Sequence, residues 1–245
     1  VTAWGITDCG LAREQNQDAF HLEVLHESSQ GILAVCDGMG GAKSGNVASF
    51  VAVDAFVGTL RLVLGSDMDV AAVQNAVRDA VDEANRRVYE KARSDTSYYG
   101  MGTTLVGAVV TSGLAVIANV GDSRAYIIDR EEGIERITRD HSVVEDLLYR
   151  GELSPDQVKN HPSKNIITRA LGTENDVSPD VFSVDLTSGD FLLLCSDGLT
   201  NAVDDMEILY EVLHGGDTSL CCERLVAMAN ERGGPDNITI ILLSI

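Results

Sequence analysis

Two kinds of apolar pattern divide the chain. The first is the short continuous run: "GILAVC" (31–36), "LAVIANV" (114–120), "FLLLC" (191–195) and "ITIILL" (238–243). Runs of this length bounded by Gly, Asp and Asn predict strands buried on both faces. "TTLVGAVV" (103–110) predicts a fifth. The second pattern repeats at helical spacing. Val70, Val73, Val77, Val81, Ala84 and Val88 fall three or four residues apart, the period of one helix face, and predict a helix over 69–93 with Asp69 as its N-cap. The Ala-, Val- and Leu-rich stretch 46–64 predicts another long helix. Shorter helices are predicted over 142–150, ending at Gly151, over 204–213 and over 218–231.

Between 153 and 179 the pattern lapses. Three of the four prolines, Pro155, Pro162 and Pro179, fall here. The stretch reads as a surface excursion with short helices. No repeat, low-complexity tract or Pro-rich linker divides the chain, so 1–245 is expected to form a single domain.

Composition adds limits. At 44% hydrophobic and 23% charged, 245 residues can bury a substantial core. No apolar stretch of about 18 residues runs unbroken, so no membrane span is expected. No basic-then-apolar leader opens the chain. Val1 stands where a Met would, as in an excised or processed piece. The formal net charge of −20 argues against nucleic acid as a partner. It reads either as a solvated acidic surface or as carboxylates reserved for a cation, and both readings can hold. The five cysteines, Cys9, Cys36, Cys195, Cys221 and Cys222, form no CxxC pair. Cys36 and Cys195 sit in apolar runs, where Cys acts as a small hydrophobe. This usage fits a reducing compartment, and the cytoplasm is expected.

The chemistry lies at the strand ends. Asp37, Asp122 and Asp197 follow three apolar runs, and Asp236 precedes the fourth. If the last strand runs opposite to the others, the four carboxylates meet at one rim. Clustered carboxylates repel and are costly to bury without a positive partner. A hard divalent cation such as Mg²⁺ suits an all-oxygen set. Taken singly, each Asp beside Gly is also an ordinary turn element. The Gly-rich loop "AVCDGMGGAKSG" (34–45) fails as a P-loop: Ala42 precedes Lys43-Ser44, and Asp37 stands where the first Gly belongs. "GDSRA" (121–125) fails as a nucleophile elbow around Ser123, because Ala125 replaces the final Gly.

Further segments complete a family pattern: "GITDCGLAREQNQDAF", "AVCDGMGGAKSG", "MGTTLVGAVV", "ANVGDSRAYII", "ITRDHS", "LLLCSDGLT" and "GGPDNITIILL", in this order and nearly end to end. The chain resembles the PPM (PP2C-type) family of metal-dependent Ser/Thr protein phosphatases in its bacterial form. The resemblance implies an α+β fold, a four-layer α-β-β-α sandwich of two mostly antiparallel sheets flanked by helices, with a metal site at one rim. It implies hydrolysis of phosphoserine and phosphothreonine in proteins by a metal-activated water, opposing Ser/Thr kinases. By motif, Asp37 resembles the carboxylate bridging two metals. Asp18 and the Gly38 carbonyl resemble its companions on one metal, and Asp197 and Asp236 the ligands of the other. Asp122 and Asp197 would hold a third. The ions would be Mn²⁺ or Mg²⁺. Arg13 matches the family's phosphate-binding Arg.

Met39 is a departure, because some members carry a His there, proposed as the acid for the leaving oxygen. His141 is the alternative acid, with a structural role as its rival. Arg124 is expected to partner nearby carboxylates. Lys43-Ser44 is expected to begin or cap the following helix, His161 to be a loop residue, and His21, His26 and His214 surface residues. The stretch 144–179 matches a variable flap beside the site. A monomeric cytoplasmic enzyme, or the cytosolic domain of a longer protein, is the expectation, with no membrane contact by this chain. Two rival functions stay open: a non-enzymatic binder of phosphoproteins, and a hydrolase of small phosphates. The retained aspartates argue against the former.

Overall fold

Period-two alternation along buried strands sorts their side chains onto two faces. In the computed structural model, which describes residues 1–25, 30–41, 44–65, 68–111, 113–158 and 161–245, that sorting produces four layers. The chain begins with strands β1 (Thr2–Asp8), β2 (Asp18–Leu25) and β3 (Gln30–Met39), then helices α1 (Gly45–Val63) and α2 (Val70–Ser94). Strands β4 (Gly102–Thr103), β5 (Leu105–Thr111), β6 (Leu114–Val120), β7 (Arg124–Asp129) and β8 (Gly133–Arg136) follow. Next come α3 (Val143–Tyr149), α4 (Pro155–Val158), β9 (Asp180–Asp185) and β10 (Phe191–Cys195). The chain ends with α5 (Asp197–Thr200), α6 (Asp205–His214), α7 (Thr218–Glu231) and β11 (Ile238–Ser244).

One sheet has the order β1-β11-β10-β7-β8, the other β2-β3-β5-β6-β9, with β4 paired to β3. Every ladder is antiparallel. On β3, Ile32, Ala34 and Cys36 pack under α1 and α2, while Leu33 and Val35 face the opposite sheet. On β11, Ile238, Ile240 and Leu242 pack under α6 and α7, while Ile241 and Leu243 face inward. The α+β sandwich implied by the family resemblance is the observed fold.

The predicted elements are present with three differences, and strands β1, β2, β7, β8 and β9 and the short helix α5 add to them. The strand expected over 103–110 is interrupted at Thr104: the register on β3 runs on unchanged, but the Asp37 N–H donates to Thr104 Oγ1 in place of a backbone carbonyl. Among the described residues between Leu153 and Pro179, the excursion contains one short helix, α4. And α1, against expectation, is long and apolar enough to cross a membrane by length and composition; it is a core helix here, burying Ala48, Ala52, Phe56 and Leu60. Ser44 stands at the N-cap of α1, but its hydroxyl bonds the Gly41 carbonyl at 3.2 Å and caps nothing. Lys43 lies outside the described residues, as does His26.

Helix α1 approaches β5 closely because Gly107 carries no side chain: a Cβ there would sit 2.6 Å from the Phe56 ring. Truncating that buried ring forfeits its transfer energy and leaves a void. Phe56→Ala is expected to lower unfolding free energy by about 3–5 kcal/mol, measured by urea denaturation; a loss under about 1 kcal/mol would contradict this packing.

Candidate metal centre

Each inward-facing row between the sheets is apolar until it reaches one end, and there it turns polar. Phe20, Leu22 and Val24 on β2 lead back to Asp18. Leu33 and Val35 lead to Asp37; Leu192 and Leu194 lead to Ser196. Ile241 and Leu243 lead back to Thr239, and Ala125 and Ile127 to Ser123. Because β11 runs antiparallel to β10, the start of one adjoins the end of the other. Asp236, just before β11, therefore meets Asp197, just after β10. The predicted convergence of strand ends is what the fold delivers.

Asp37, Asp122, Asp197 and Asp236 line one cleft of about 280 Å³, with Arg13, Gly38 and Met39 beside them. Asp18 lies directly opposite Asp37 in the β2–β3 ladder. Four of these carboxyls are held above the usual carboxylate range. Desolvation is the main cause for Asp37, and the charges of Asp18, Asp197 and Asp122 add to it. Asp18 is pushed up to about 6 and Asp122 to about 7, again chiefly by desolvation. Asp197 rises through burial and the charge of Asp236. Asp18 Oδ1 and Asp197 Oδ1 are buried without a hydrogen-bond partner.

The backbone under Asp37 is held from three directions. Its N–H donates to Thr104 Oγ1 at 2.9 Å, and its carbonyl accepts from Thr103 Oγ1 at 2.8 Å and from the Thr104 N–H at 2.9 Å. Gly38 must be glycine: a Cβ would stand 2.0 Å from the Gly45 carbonyl oxygen and 2.6 Å from that of Gln17. The loop carrying Arg13 is tied to the start of β11 by Asn237. That side chain accepts from the Gln17 N–H at 2.8 Å and donates to the carbonyls of Cys9 and Gln15 at 2.9 and 3.1 Å. Arg13 itself is half exposed and donates to Asp236 Oδ2 at 2.8 Å, so the expected phosphate-binding side chain rests on a carboxylate of the same cleft.

Three side chains that the sequence singles out near the site take defined places here. His141 does not line the cleft. It is buried; its Nδ1 accepts the Gly121 N–H at 3.1 Å, and its Nε2 lies 3.1 Å from Asp180 Oδ2. With Nδ1 an acceptor, the proton is assigned to Nε2, which faces Asp180 and lies 3.2 Å from Arg169 Nη1, outside the cleft lining. Its role is to hold the turn before Asp122. Ser123 is fully buried, 2.7 Å from Thr104 Oγ1, and supports that threonine. Arg124 forks onto Asp140 at 2.9 and 2.7 Å, the structural partnership expected of it. Among the remaining histidines, His161 accepts the Ser163 N–H within its loop, His21 pairs with Glu23, and His214 stacks on Tyr210 at the surface. From the excursion, Asn165 and Ile167 reach the cleft wall. Thr103, Thr104, Ser196, Asn237 and Thr239 were not foreseen as part of the site. Extending the period-two rows by one step would have found Thr104, Ser196 and Thr239.

Residues 12–216 match the protein phosphatase 2C family. A serine/threonine phosphatase, Stp, of Listeria monocytogenes is 40% identical over 97% of this chain and 93% of that protein. The crystal structure of serine/threonine phosphatase Stp1 from Staphylococcus aureus superposes with a TM-score of 0.91 at 40% identity, covering 99% of this chain and 94% of that one. The catalytic domain of the serine/threonine protein phosphatase PstP, solved in complex with 2 manganese ions, gives a TM-score of 0.84 at 28% identity, covering 98% and 96%. Shared over nearly the whole length, sequence and fold agree that this chain belongs to the PP2C-type (PPM) family of metal-dependent serine/threonine protein phosphatases.

Proposed function

We propose that this protein removes phosphate from phosphoserine and phosphothreonine in proteins, opposing Ser/Thr kinases, and that the aspartate rim is its divalent-cation site. The observation that carries the reading is the meeting of four aspartates and Arg13 in one cleft of a chain with net charge −20. A cation fits the residues present. Two carboxylate oxygens there are buried and unpartnered, the donors are all hard oxygens, and the chain at Gly38 lies too close to its neighbours for any side chain. Among the described residues, no three His, Cys, Asp or Glu side chains stand close enough to cage an ion alone. The aspartates face an open cleft, so backbone carbonyl and water oxygens must complete the shell, as Mg²⁺ and Mn²⁺ sites commonly require.

Asp37 is assigned the bridging role, Asp18 and the Gly38 carbonyl one ion, Asp197 and Asp236 the other. Asp122 with Asp197 is assigned a third. Bound there, Mn²⁺ or Mg²⁺ supplies Lewis acidity and activates water for attack at phosphorus. Arg13 swings its free guanidinium donors onto the phosphate while one nitrogen keeps Asp236, a geometry the planar fork permits. Aspartates and Arg13 are the titratable side chains in the described cleft lining. Met39 holds no proton to give, so solvent in the cleft protonates the leaving oxygen. Asn165 and Ile167 make the 144–179 excursion a flap over one wall, where long irregular segments commonly act. The working unit is taken as one domain, 1–245, acting as a monomer in the cytoplasm.

Activity on a phosphothreonine peptide is expected with Mn²⁺ and to vanish with EDTA. Asp37→Asn is expected to lose more than about 100-fold in kcat/KM, since even residues that only support metal ligands are worth about 10–100-fold. Equal or better turnover of nucleotides and sugar phosphates would instead favour a small-phosphate hydrolase.

The raised carboxylates also predict a stability signature. A group whose folded pKa is raised contributes stability in full below its unfolded value of about 3.9, and loses it as pH climbs through the folded pKa. For Asp18 and Asp122 that window closes near about 6 and about 7. His141 works the other way: burial lowers it, so its contribution fades as pH falls below the usual histidine range. One histidine opposes four carboxylates. Metal-free protein is expected to be less stable at pH 7.5 than at pH 5.5. Asp37→Asn is expected to raise metal-free stability at pH 7.5, with little gain at pH 5.5. Thermal melts in EDTA at both pH values check this; a mutant less stable than wild type at pH 7.5 would contradict it.

A further inference from the structure

Thr239 interrupts an otherwise apolar strand. It is fully buried, and its row faces the opposite sheet. Its Oγ1 donates to Asp18 Oδ2 at 2.6 Å. Thr7 Oγ1 stands 2.7 Å away, and since the Thr239 proton is engaged on Asp18, Thr7 is the donor to Thr239. Asn16 in turn donates to Thr7 Oγ1 at 2.8 Å. Ser196 sits at the N-cap of α5, where serine usually bonds a helix N–H. Here it makes no such bond. Its hydroxyl accepts the Thr239 N–H at 2.9 Å and donates to Asp18 Oδ2 at 2.8 Å.

Both donors thus fall on the same oxygen, and both come from the sheet that does not contain Asp18. The other oxygen, Oδ1, is equally buried and has no partner. A carboxylate retained only to latch the sheets together would gain from donors on each oxygen, because a buried bare acceptor costs about 1–3 kcal/mol. Fixing Oδ2 from two directions fixes the carboxylate plane, and with it the orientation of Oδ1, on a residue paired with Asp37 across the β2–β3 ladder.

We propose that Ser196 and Thr239 are positioning residues for cation binding: their hydroxyls occupy Oδ2 of Asp18 and reserve Oδ1 for the cation's shell. One sheet then sets the aim of a ligand that the other sheet carries. This inference rests on the cation-site reading of Asp18 given above.

The test is titration calorimetry of MnCl₂ into the EDTA-stripped protein at fixed pH. Wild type, Asp37→Asn, Thr239→Val, Thr239→Ser and Ser196→Ala/Thr239→Val are compared, with thermal melts in EDTA as the check on folding. Groups that orient metal ligands are worth about 10–100-fold in affinity. The double variant is expected to bind Mn²⁺ about 10–100-fold more weakly, and Thr239→Val about 10-fold. Thr239→Ser, which keeps the hydroxyl, is expected within about threefold of wild type, a small fraction of that loss. If the double variant shows no cooperative melt, the Val and Ser substitutions at 239 decide alone, because Val keeps the shape of Thr without its hydroxyl and Ser keeps the hydroxyl without the methyl. Mn²⁺ affinity for Thr239→Val equal to wild type, with only the melting temperature reduced, would overturn the inference and leave a plain latch. Mn²⁺ binding absent from wild type would overturn the cation-site reading itself and this inference with it. Loss in Asp37→Asn but in no hydroxyl variant would overturn this inference alone.

Discussion

Carboxylates drawn out of solvent at one end of a β-sandwich repel one another, and the architecture around them answers that repulsion. Desolvation raises Asp18, Asp37, Asp122 and Asp197, and their mutual charge adds to the effect at Asp37. Protein-supplied compensation is sparse. Asp18 receives two hydroxyls, Asp197 one amide from Asn201, and Asp236 the half-exposed Arg13 and the Asn237 N–H. Buried charge without a full set of partners costs several kcal/mol per ion. The site therefore stores unfavourable free energy in the metal-free state, the usual signature of a functional site held in place by its scaffold.

The scaffold does this through alternation and antiparallel pairing. The two inner faces meet as an apolar layer of Leu33, Val35, Val106, Ala108, Ile117, Leu192, Leu194 and Ile241. At one end the same rows continue as Asp, Ser and Thr. A side chain at the right parity but one step further along the strand changes from core to site. Outer-face residues such as Cys36 and Cys195 are unaffected by that change; they pack under helices and are held as thiols by burial. The position of the site follows from where the apolar rows stop.

Much of this was legible in sequence, unevenly. The four apolar runs and the long helices declared themselves, because buried central strands and one-faced helices leave strong signals. Their terminal aspartates followed. Strands β1, β2, β8 and β9 did not, since edge strands mix exposed and buried positions and carry a weak pattern, and β7 did not because its apolar run, Ala125–Ile128, is short. The break at Thr104 was hidden too: "TTLVGAVV" reads as one strand, and only the demand of the Asp37 backbone for donors and an acceptor splits it. His141 was ambiguous because a histidine beside a helix start looks the same in sequence whether it faces solvent or a backbone N–H. Its bond to Gly121 decided the matter. The hydroxyls of Ser196 and Thr239 were invisible singly, being ordinary strand and cap residues until the opposite sheet brings Asp18 against them.

We take the rim to be complete only with divalent cations in it. Anomalous diffraction at an energy above the manganese edge, from crystals of the full chain grown with MnCl₂, locates such ions directly. Anomalous peaks are then expected within ligand distance of Asp37, with Asp18, Asp197 and Asp236 around them. Peaks elsewhere, or none while those aspartates keep only protein partners, would contradict it.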